Sequence, residues 1–512
     1  EFPEERLLFA NGAGGFTPDG TEYVITLRPG QNVPAPWCNV LANEGFGTIV
    51  SDGGGVYTWK ENAQAFRLTP WLNDPVTDAS GEALYLRDEA TGQSWSPTPL
   101  PRRGKGSYRI RHGFGYSVYE HVEDGIRSRL TVFVAAEAPV KLSVLRVENL
   151  SGRPRTLTAT GYAEWVLGER RPQTAMHVLT QSDPNTGTIF ARNAYTTDFP
   201  GRVAFFDVDA HVRTISCDRT EFIGRNGDLS APAALRRTCL SGRTGAGFDP
   251  GASIQTGFGL AEGESRELVF VLGAADGEEE AAALARRFAD VREAWDELER
   301  VRAFWRDILG TVRVKTPDAA CDVMLNGWLL YQVISSRFLA RSGYYQSGGA
   351  FGFRDQLQDA LAMLYADPQR VREHLLRCAA HQFPEGDVQH WWHPPLDRGV
   401  RTRCSDDYLW LPLAVERYVR ITDDWGILDE PVTYIEMRRL NAEEEALYDQ
   451  PARSQLEEPL YRNCVRAIEH GLRFGEHGLP LMGSGDWNDG MDRVGIGGKG
   501  ESVWLGFFLY TV

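Results

Sequence analysis

The 512-residue sequence is poor in features that mark membrane and nucleic-acid-binding proteins. No run approaches the roughly 20 uninterrupted apolar residues that a membrane-spanning helix needs. Cationic residues are in the minority, with 54 Lys and Arg against 70 Asp and Glu, and the net charge of −16 repels phosphate backbones. We therefore expect no nucleic-acid partner and no membrane contact by this segment.

Cysteine is scarce and follows no motif. The seven cysteines are odd in number, form no Cys-x-x-Cys pair and are scattered, at Cys38, Cys217, Cys239, Cys321, Cys378, Cys404 and Cys464. Such a set favours free thiols in a reducing compartment over disulfides or a zinc site. No basic segment followed by an apolar one marks a signal peptide. These absences predict a cytoplasmic location.

Several common catalytic motifs are also absent. The sequence has no Gly-x-x-x-x-Gly-Lys-Ser/Thr phosphate loop, no Gly-x-Ser-x-Gly elbow and no His-Glu-x-x-His motif. His390 and His393 are not spaced as zinc ligands on a helix, and no Cys or His pair completes a site. We predict that the chain holds no metal. Hydrogen bonding to sugar hydroxyls, or a role in loop structure, is the alternative for these histidines.

Residues 1–275 have the pattern of a β-domain. Runs of alternating polarity recur between turns rich in Gly, Pro and Asp, and examples are Glu22–Leu27, Ser107–Arg111, Ser128–Val134, Lys141–Val147, Thr156–Tyr162 and Glu267–Leu272. Many short strands with frequent turns are typical of a large antiparallel sandwich. We predict a β-sandwich domain over residues 1–275.

The pattern becomes helical at Asp276. Asp276 is placed as an N-cap residue, and the three Glu residues that follow carry negative charge that stabilises the positive end of a helix dipole. Apolar residues then recur at steps of three or four from Leu284 to Ile308, which places them on one helix face. We predict a helical linker over residues 276–316.

The remaining residues, 317–512, are predicted to be helical. A helix starts near 501, and six others cover residues near 319–340, 355–365, 368–382, 406–421, 430–448 and 457–474. Long loops alternate with short turns, which is typical of stacked αα-hairpins with one functional face. A ring of such hairpins is an α/α toroid. Because the final apolar run Val503–Val512 has the character of a helix opening, we expect 317–512 to be only the first part of the toroid.

The densest group of candidate catalytic residues lies in the predicted loop 475–500. Asp486 and Asp489 flank Trp487 and Asn488. A carboxyl group beside an indole is poorly solvated, which favours its protonated form and suits it to general acid catalysis. A turn built from Asp, Asn and Gly is the alternative, whereas a calcium loop would need further acids at alternating positions.

A second group of candidates lies in and after the glycine-rich loop 341–354. Arg341 and Arg354 can donate forked hydrogen bonds to phosphate or carboxylate oxygens. Asp355 and Asp359 lie one helical turn apart and share a helix face. The alternative is that Arg354 and Asp355 only cap the helix and pair with neighbouring side chains.

Long stretches of the sequence are similar to one enzyme family. They include Asn11–Ile25, Pro36–Gly47 and Gly485–Asp489, and the similarity extends over the whole chain. On these residues the sequence resembles glycoside hydrolase family 94, the inverting phosphorylases of cellobiose, chitobiose and related β-glucans. The segments Gln346–Asp359 and His390–Pro395 are most similar to the phosphorylase-like domain of cyclic β-1,2-glucan synthases and, next, to β-1,2-oligoglucan phosphorylases.

The resemblance implies a fold and a set of site residues. The fold is an N-terminal β-sandwich, a helical linker and an (α/α)6 barrel. Asp489 is expected to be the general acid that protonates the glycosidic oxygen while inorganic phosphate attacks the anomeric carbon from the opposite face. Arg354, Asp359 and Trp487 are expected to bind the sugar on the non-reducing side of the cut bond. Arg341 is expected to bind sugar or phosphate.

The resemblance also implies the substrates and the setting of the reaction. A β-glucan, expected to be β-1,2-linked, and phosphate would give α-glucose 1-phosphate, with phosphate as co-substrate and no cofactor. We expect a homodimer, or a part of a larger synthase polypeptide on the cytoplasmic side of the inner membrane. The His and the hydroxyl residue that hold phosphate in the family are expected beyond Val512, so we expect this segment alone to be inactive.

Two other functions fit the same residues. An inverting hydrolase would need a carboxylate that activates water, and the candidates are Glu385, Asp387, Asp406 and Asp407. A non-catalytic glucan-binding or scaffolding domain would need no acid, so a substitution of Asp489 would leave its function unchanged. A phosphorylase, unlike either of them, releases glucose 1-phosphate when phosphate is added.

Overall fold

The structure is a computed structural model that describes residues 2–495 and 497–512. The chain folds into two compact units, which are the residues up to Gly310 together with Val314–Gly348, and Thr311–Arg313 together with Gly349–Val512. The domain boundaries predicted at residues 275 and 316 stay predictions.

Antiparallel sheets form most of the first unit. The largest has ten strands, which are, in their order across the sheet, Gly14–Phe16, Glu22–Leu27, Tyr108–Gly113, Tyr116–Glu123, Ile126–Val134, Val140–Asn149, Ser265–Ala275, Val203–Val208, Ile189–Asn193 and Val178–Ser182. A second sheet has five strands, in the order Thr214–Asp218, Pro250–Leu260, Arg155–Glu164, Glu82–Asp88 and Ser94–Trp95. A third has three strands, Cys38–Ala42, Phe46–Ser51 and Val56–Lys60.

The sheets of the first unit are held together by the apolar side chains of their inner faces. Leu130 and Leu145 of the ten-stranded sheet share one buried core with Leu157 and Ile254 of the five-stranded sheet. Burial of each such side chain contributes about 1.5–3 kcal/mol to folding. The predicted antiparallel sandwich is confirmed.

Two helices follow the last strand of the sandwich, Glu278–Phe288 and Val291–Leu309. The predicted linker helix is therefore interrupted, because the carboxylate of Asp290 accepts hydrogen bonds from backbone N–H groups and starts a second helix. The predicted N-cap is also wrong. Gly277 is the N-cap residue, and the carboxylate of Asp276 forms an ion pair instead.

The other helices of the first unit are short. They are the α-helices Arg171–Thr174, Arg219–Ile223, Ala319–Val323 and Leu329–Gln332, the π-helices Met324–Trp328 and Val333–Ala340, and the 3-10 helices Ala175–His177 and Ala233–Arg236. The helix predicted near 319–340 is thus present but contains two π-helical stretches. Trp328 attaches it to the β-domain, since its Nε1 donates to the Gly20 carbonyl oxygen at 2.7 Å.

The second unit contains the remaining helices. They are the α-helices Phe353–Met363, Pro368–Ala379, Trp410–Thr422, Leu460–Gly471, Asp492–Gly495 and Val503–Thr511, and the 3-10 helices Asp407–Leu409, Trp425–Asp429 and Asp489–Met491. The helices predicted near 355–365, 368–382, 406–421, 457–474 and 501 are confirmed to within a few residues.

The helix predicted near 430–448 is wrong. This segment starts with a strand, Pro431–Glu436, in which three of the six residues are β-branched and favour extended backbone. That strand pairs with Ala452–Pro459. A further strand completes a four-stranded sheet, in the order Phe351–Gly352, Gln389–His393, Arg398–Thr402 and Ala446–Asp449. The segment between the helices predicted near 368–382 and 406–421 contains a β-hairpin, formed by the second and third of these strands.

The thiols and the helices bear on two further predictions. All seven cysteines are free thiols, and Cys217, Cys378, Cys404 and Cys464 are buried. The prediction of free thiols in place of disulfides is confirmed. None of the helices in the described part of the chain combines the length and the apolar character that a membrane crossing requires.

Candidate active site

Arg354 is at the centre of the candidate active site, which lies within the second unit. It is the second residue of the helix Phe353–Met363 and is only 4% exposed. A buried guanidinium needs acceptors for its N–H groups. Its Nη1 donates to Asp406 Oδ1 and to the Asp486 carbonyl oxygen, both at 2.8 Å, and its Nη2 donates to Asp489 Oδ1. Arg354 thereby joins segments that are far apart in the sequence.

Asp406 and Asp407 form a buried carboxylate pair beside Arg354. Asp406 is fully buried, and its Oδ2 accepts a hydrogen bond from Trp410 Nε1 at 3.0 Å. Asp407 Oδ1 lies 3.7 Å from Arg354 Nε. Burial and the charge of Asp407 raise the pKa of Asp406, and the charge of Arg354 offsets only part of this rise. One guanidinium therefore faces two buried acids.

The loop 483–489 is held in place by the first of its two aspartates. Asp486 is buried, and its Oδ1 accepts hydrogen bonds from the backbone N–H and the side-chain amide of Asn488, at 2.8 and 3.0 Å. Its Oδ2 accepts a hydrogen bond from the Ser502 hydroxyl at 2.6 Å. Asp486 thus has a structural role, and it fixes the turn from which Asp489 projects.

Asp489 lies on the open side of this loop. Its side chain is 70% exposed, so the expectation that a carboxyl beside the indole is poorly solvated is wrong for Asp489, although it holds for Asp486. Trp487 is 43% exposed, and the Arg354 guanidinium lies over its ring, 5.2 Å from the centroid. The Asp489 carboxylate forms an ion pair with Arg354. A ligand can therefore reach the exposed parts of the Trp487 indole and the Asp489 carboxylate, which both lie against the buried guanidinium of Arg354.

His390 extends the site from the strand Gln389–His393. Its Nδ1 donates a hydrogen bond to Asp407 Oδ2 at 2.7 Å. Burial lowers the pKa of His390, but the charge of Asp407 and this hydrogen bond outweigh it, so the pKa lies above its ordinary value. The pair therefore favours a charged imidazolium next to the acid loop.

His390 and two neighbouring side chains have the chemistry of metal ligands. A ring nitrogen of His390, the Cys404 sulfur and a carboxylate oxygen of Asp407 lie within 4.8 Å of one another. Arg354 Nη1 is 3.7 Å from the Cys404 sulfur, so a guanidinium already supplies positive charge there. Burial and the charges of Asp407 and Asp406 raise the pKa of the Cys404 thiol, which disfavours the thiolate that a metal would bind. Absence of a metal stays a prediction.

Arg341 and Asp359, the other two predicted substrate residues, do not share the described contacts that join Arg354, Trp487 and Asp489. Arg341 belongs to the first unit, where it ends a helical segment with a φ of +49°. Its guanidinium donates to the carbonyl oxygens of Phe338 and Glu61, at 2.9 and 3.2 Å. Asp359 is half-buried on the helix that carries Arg354, about 140° further around it at 3.6 residues per turn. The substrate roles of Arg341 and Asp359 stay predictions.

The structure brings together Arg354, Trp487 and Asp489, whose roles in catalysis stay predictions. Sequence reasoning missed the partners of Arg354, because it did not consider Asp406 and Asp407 as counter-ions of an arginine. The signal that could have identified these partners is an Asp-Asp pair directly before a helix, which is visible in the sequence. The pair is 52 residues away from Arg354, however, and no local pattern connects them.

Two parts of the chain match models of one family. The supersandwich domain of glycosyl hydrolase 94 matches residues 21–291, and the catalytic domain of the glycosyl hydrolase 94 superfamily matches residues 304–512. These matches confirm the predicted fold class, a β-sandwich followed by a helical catalytic domain. They also confirm the family resemblance of the sequence.

Individual relatives agree with the family models. A cyclic β-(1,2)-glucan synthase of Rhizobium meliloti (strain 1021) is 43% identical over 98% of this chain, which spans 18% of the synthase. An N,N′-diacetylchitobiose phosphorylase of Vibrio furnissii is 27% identical over 97% of the chain, which spans 63% of it. A solabiose phosphorylase of Paenibacillus borealis is 29% identical over 98% of the chain, which spans 62% of it. The chain therefore spans less than two thirds of each of these relatives, and it belongs to glycosyl hydrolase family 94, a family of enzymes.

Proposed function

We propose that the protein catalyses the inverting phosphorolysis of a β-glucan, with Asp489 as the general acid. The observation that carries this proposal is the exposed carboxylate of Asp489, which lies on the same guanidinium as the indole of Trp487. An indole can cover the apolar face of a sugar ring, while charged side chains bind its hydroxyls. The names of the relatives, a glucan synthase and two phosphorylases, support a reaction at a glycosidic bond.

The proposed reaction is a single displacement at the anomeric carbon. A phosphate oxygen attacks this carbon from the face opposite the glycosidic bond. The carbon–oxygen bond breaks, its electron pair stays on the leaving sugar oxygen, and that oxygen takes the proton of the Asp489 carboxyl group. The products are α-glucose 1-phosphate and a glucan one residue shorter. Because phosphate is already an anion, no second carboxylate is needed to activate the nucleophile, whereas an inverting hydrolase needs one.

Asp489 has to exchange its contact with Arg354 for a proton before it can act as an acid. Arg354 has fixed buried acceptors at Asp406 and at the Asp486 carbonyl oxygen, so it can stay in place when Asp489 moves away. Sugar hydroxyls are suitable acceptors for the N–H group that Asp489 releases. We propose that binding of the glucan displaces the Asp489 carboxylate from Arg354. We propose that Arg354, Asp359 and Trp487 bind the glucan, and that Arg341 binds glucan or phosphate.

The structure disfavours the alternative of an inverting hydrolase. Glu385 and Asp387 form ion pairs with one arginine, at 3.1 and 2.7 Å. Asp406 is fully buried, and Asp407 is held by His390. Each of the four carboxylates considered as the base therefore already has a fixed partner, which makes it a poor group for activating water.

The substrate and the setting of the reaction follow from the same proposal. We propose a β-1,2-linked glucan, because the relative at 43% identity is named a cyclic β-(1,2)-glucan synthase. Phosphate would be the co-substrate, with no cofactor. The protein would act as a homodimer or as part of a larger synthase polypeptide, in the cytoplasm or on the cytoplasmic side of the inner membrane. Seven free thiols suit such a reducing compartment.

A product assay tests the proposed function. The full-length protein is incubated with β-1,2-, β-1,3- and β-1,4-linked gluco-oligosaccharides, each with and without inorganic phosphate as the matched control. We expect glucose 1-phosphate only when phosphate is present, and the highest rate with the β-1,2-linked substrate. Free glucose formed without phosphate would indicate a hydrolase, and binding without any product would indicate a glucan-binding domain. Either outcome would contradict the proposal.

A further inference from the structure

His390 carries a hydrogen-bond donor that the described residues do not use. Its Nδ1 is occupied by Asp407, which is itself buried. None of the residues that the structure describes forms a hydrogen bond with its Nε2, and the side chain is 23% exposed. A ring that is fixed through one nitrogen and open at the other is oriented in advance for a ligand.

The surroundings of His390 determine which ligand would suit it. The charged or polar side chains around it are those of Arg354, Cys404, Asp406, Asp407 and Asp489. Three carboxylates against one guanidinium leave an excess of negative charge, which a charged His390 reduces but does not remove. At His390 such a neighbourhood favours a neutral hydroxyl group over an anion, while the phosphate of the proposed reaction approaches from the opposite face of the sugar.

We propose that His390 is a substrate-contacting residue whose Nε2–H donates a hydrogen bond to a hydroxyl of the glucan, and that Asp407 is its positioning residue. The inference rests on the proposed function, which brings the glucan to the Asp489 loop. Because Nδ1–H is donated to Asp407, Nε2 carries a hydrogen only when the ring is charged. Asp407 raises the pKa of His390 against the effect of burial and so keeps this donor available at higher pH.

Two substitutions at His390 separate the role of Nε2 from that of Nδ1. The side-chain amide of His390→Asn reaches about as far as Nδ1 and can keep the bond to Asp407, whereas that of His390→Gln reaches about as far as Nε2. Calorimetry measures the affinity of the full-length proteins for a β-1,2-linked gluco-oligosaccharide without phosphate. We expect His390→Asn to weaken binding about ten- to hundredfold, the effect of one hydrogen bond from a charged donor. We expect His390→Gln to retain most of the affinity.

The pH dependence of binding tests the positioning role of Asp407. Glucan affinity of the unmodified protein should fall as the pH rises through the raised pKa of His390, because Nε2 then loses its hydrogen. Asp407→Asn should move this fall to lower pH, and His390→Gln should abolish it. A pair with only a structural role would change the thermal stability of these variants without changing the pH profile of binding.

The outcomes for His390 and for the proposed function can be told apart. Equal affinities of the unmodified protein and His390→Asn, or a His390→Gln variant no better than His390→Asn, would overturn the role of His390 and leave phosphorolysis intact. If the unmodified protein formed no glucose 1-phosphate from any glucan, the proposed function would fail, and calorimetry would still report on His390. Failure of the unmodified protein to bind any of the oligosaccharides would overturn the inference itself.

Discussion

Each compact unit buries a pair of aspartates, and the two pairs have different surroundings. In the first unit, Asp52 and Asp78 accept hydrogen bonds from neutral donors, and the described residues place no cationic side chain within ion-pair distance of either. In the second unit, Asp406 and Asp407 face the guanidinium of Arg354. The same pair of residue types is thus left without a counter-ion in one unit and is given one in the other.

The difference shows why a buried acid pair is not by itself a catalytic site. Burial is the main cause that raises the pKa of Asp52 to about 6, and the charge of Arg103 offsets only part of this rise. In the second unit, Arg354 is shared between buried acceptors and the exposed Asp489. A shared cation can change partners when a ligand arrives, which a set of fixed neutral donors cannot do.

Removal of the Arg354 guanidinium should have the largest effect on stability. Arg354→Met leaves Asp406 and Asp407 buried without their guanidinium, and loss of one partner of a buried ion pair costs about 3–5 kcal/mol. The free energy of unfolding of the second unit in urea measures this loss. We expect the variant to lose glucan binding as well, since Arg354 also contacts Asp489 and Trp487.

Arg372→Met is the matched control for Arg354→Met. Arg372 pairs with Asp424, at 3.0 Å, and with Glu430, and all three side chains are partly exposed. Ion pairs of this kind contribute about 0–1 kcal/mol. Equal losses from the two variants would mean that the buried acids do not depend on Arg354, and the contrast between the two units would then disappear.

Ionisation of Asp52, which belongs to the pair without an ion-pair partner, should lower the stability of the first unit as the pH rises. The pKa of Asp52 is about 6 in the folded protein against 3.8 ordinarily, so the folded state binds this proton more tightly than the unfolded state does. The resulting stabilisation is complete below pH 3.8 and is lost as the pH rises through about 6. Asp52→Asn cannot ionise, so its stability relative to the unmodified protein should rise between about pH 4 and 7, by up to about 3 kcal/mol.

An exposed aspartate of the first unit provides a control of opposite sign. Hydrogen bonds from Ser230 lower the pKa of Asp228, so Asp228→Asn should lose stability relative to the unmodified protein as the pH rises. Urea unfolding at a series of pH values measures both variants. A pH-independent effect of Asp52→Asn would show that the pKa of Asp52 is not raised in the folded protein and would contradict this account.

Local patterns in the sequence predict much of the fold. The run Glu22–Leu27 forms a strand with the predicted bounds, because its aromatic and β-branched residues favour extended backbone. The helix predicted near 430–448 failed for a different reason. Its strand Pro431–Glu436 is stabilised by pairing with Ala452–Pro459, and such a pairing is not visible in either segment alone.

The candidate site is predictable only in part. Trp487 and Asp489 are recognisable because they lie in one short motif, and Arg354 because it follows a glycine-rich loop. The contacts that make these residues a site span 52 residues to Asp406 and 135 residues to Asp489, so no rule of spacing could supply them. The exposure of Asp489 was missed because the buried Asp486, and not the indole, determines the shape of the loop.

The most direct test concerns the proton that Asp489 gives to the leaving sugar. In the full-length protein, Asp489→Asn keeps the shape of the side chain and removes the acid, while Asp429→Asn changes an exposed aspartate of the same unit as a control. Phosphorolysis rates and glucan affinities are measured for both variants. We predict that kcat falls about a hundred- to ten-thousandfold in Asp489→Asn with glucan binding retained, and that it is unchanged in Asp429→Asn. Turnover of Asp489→Asn near the unmodified rate would contradict the assignment.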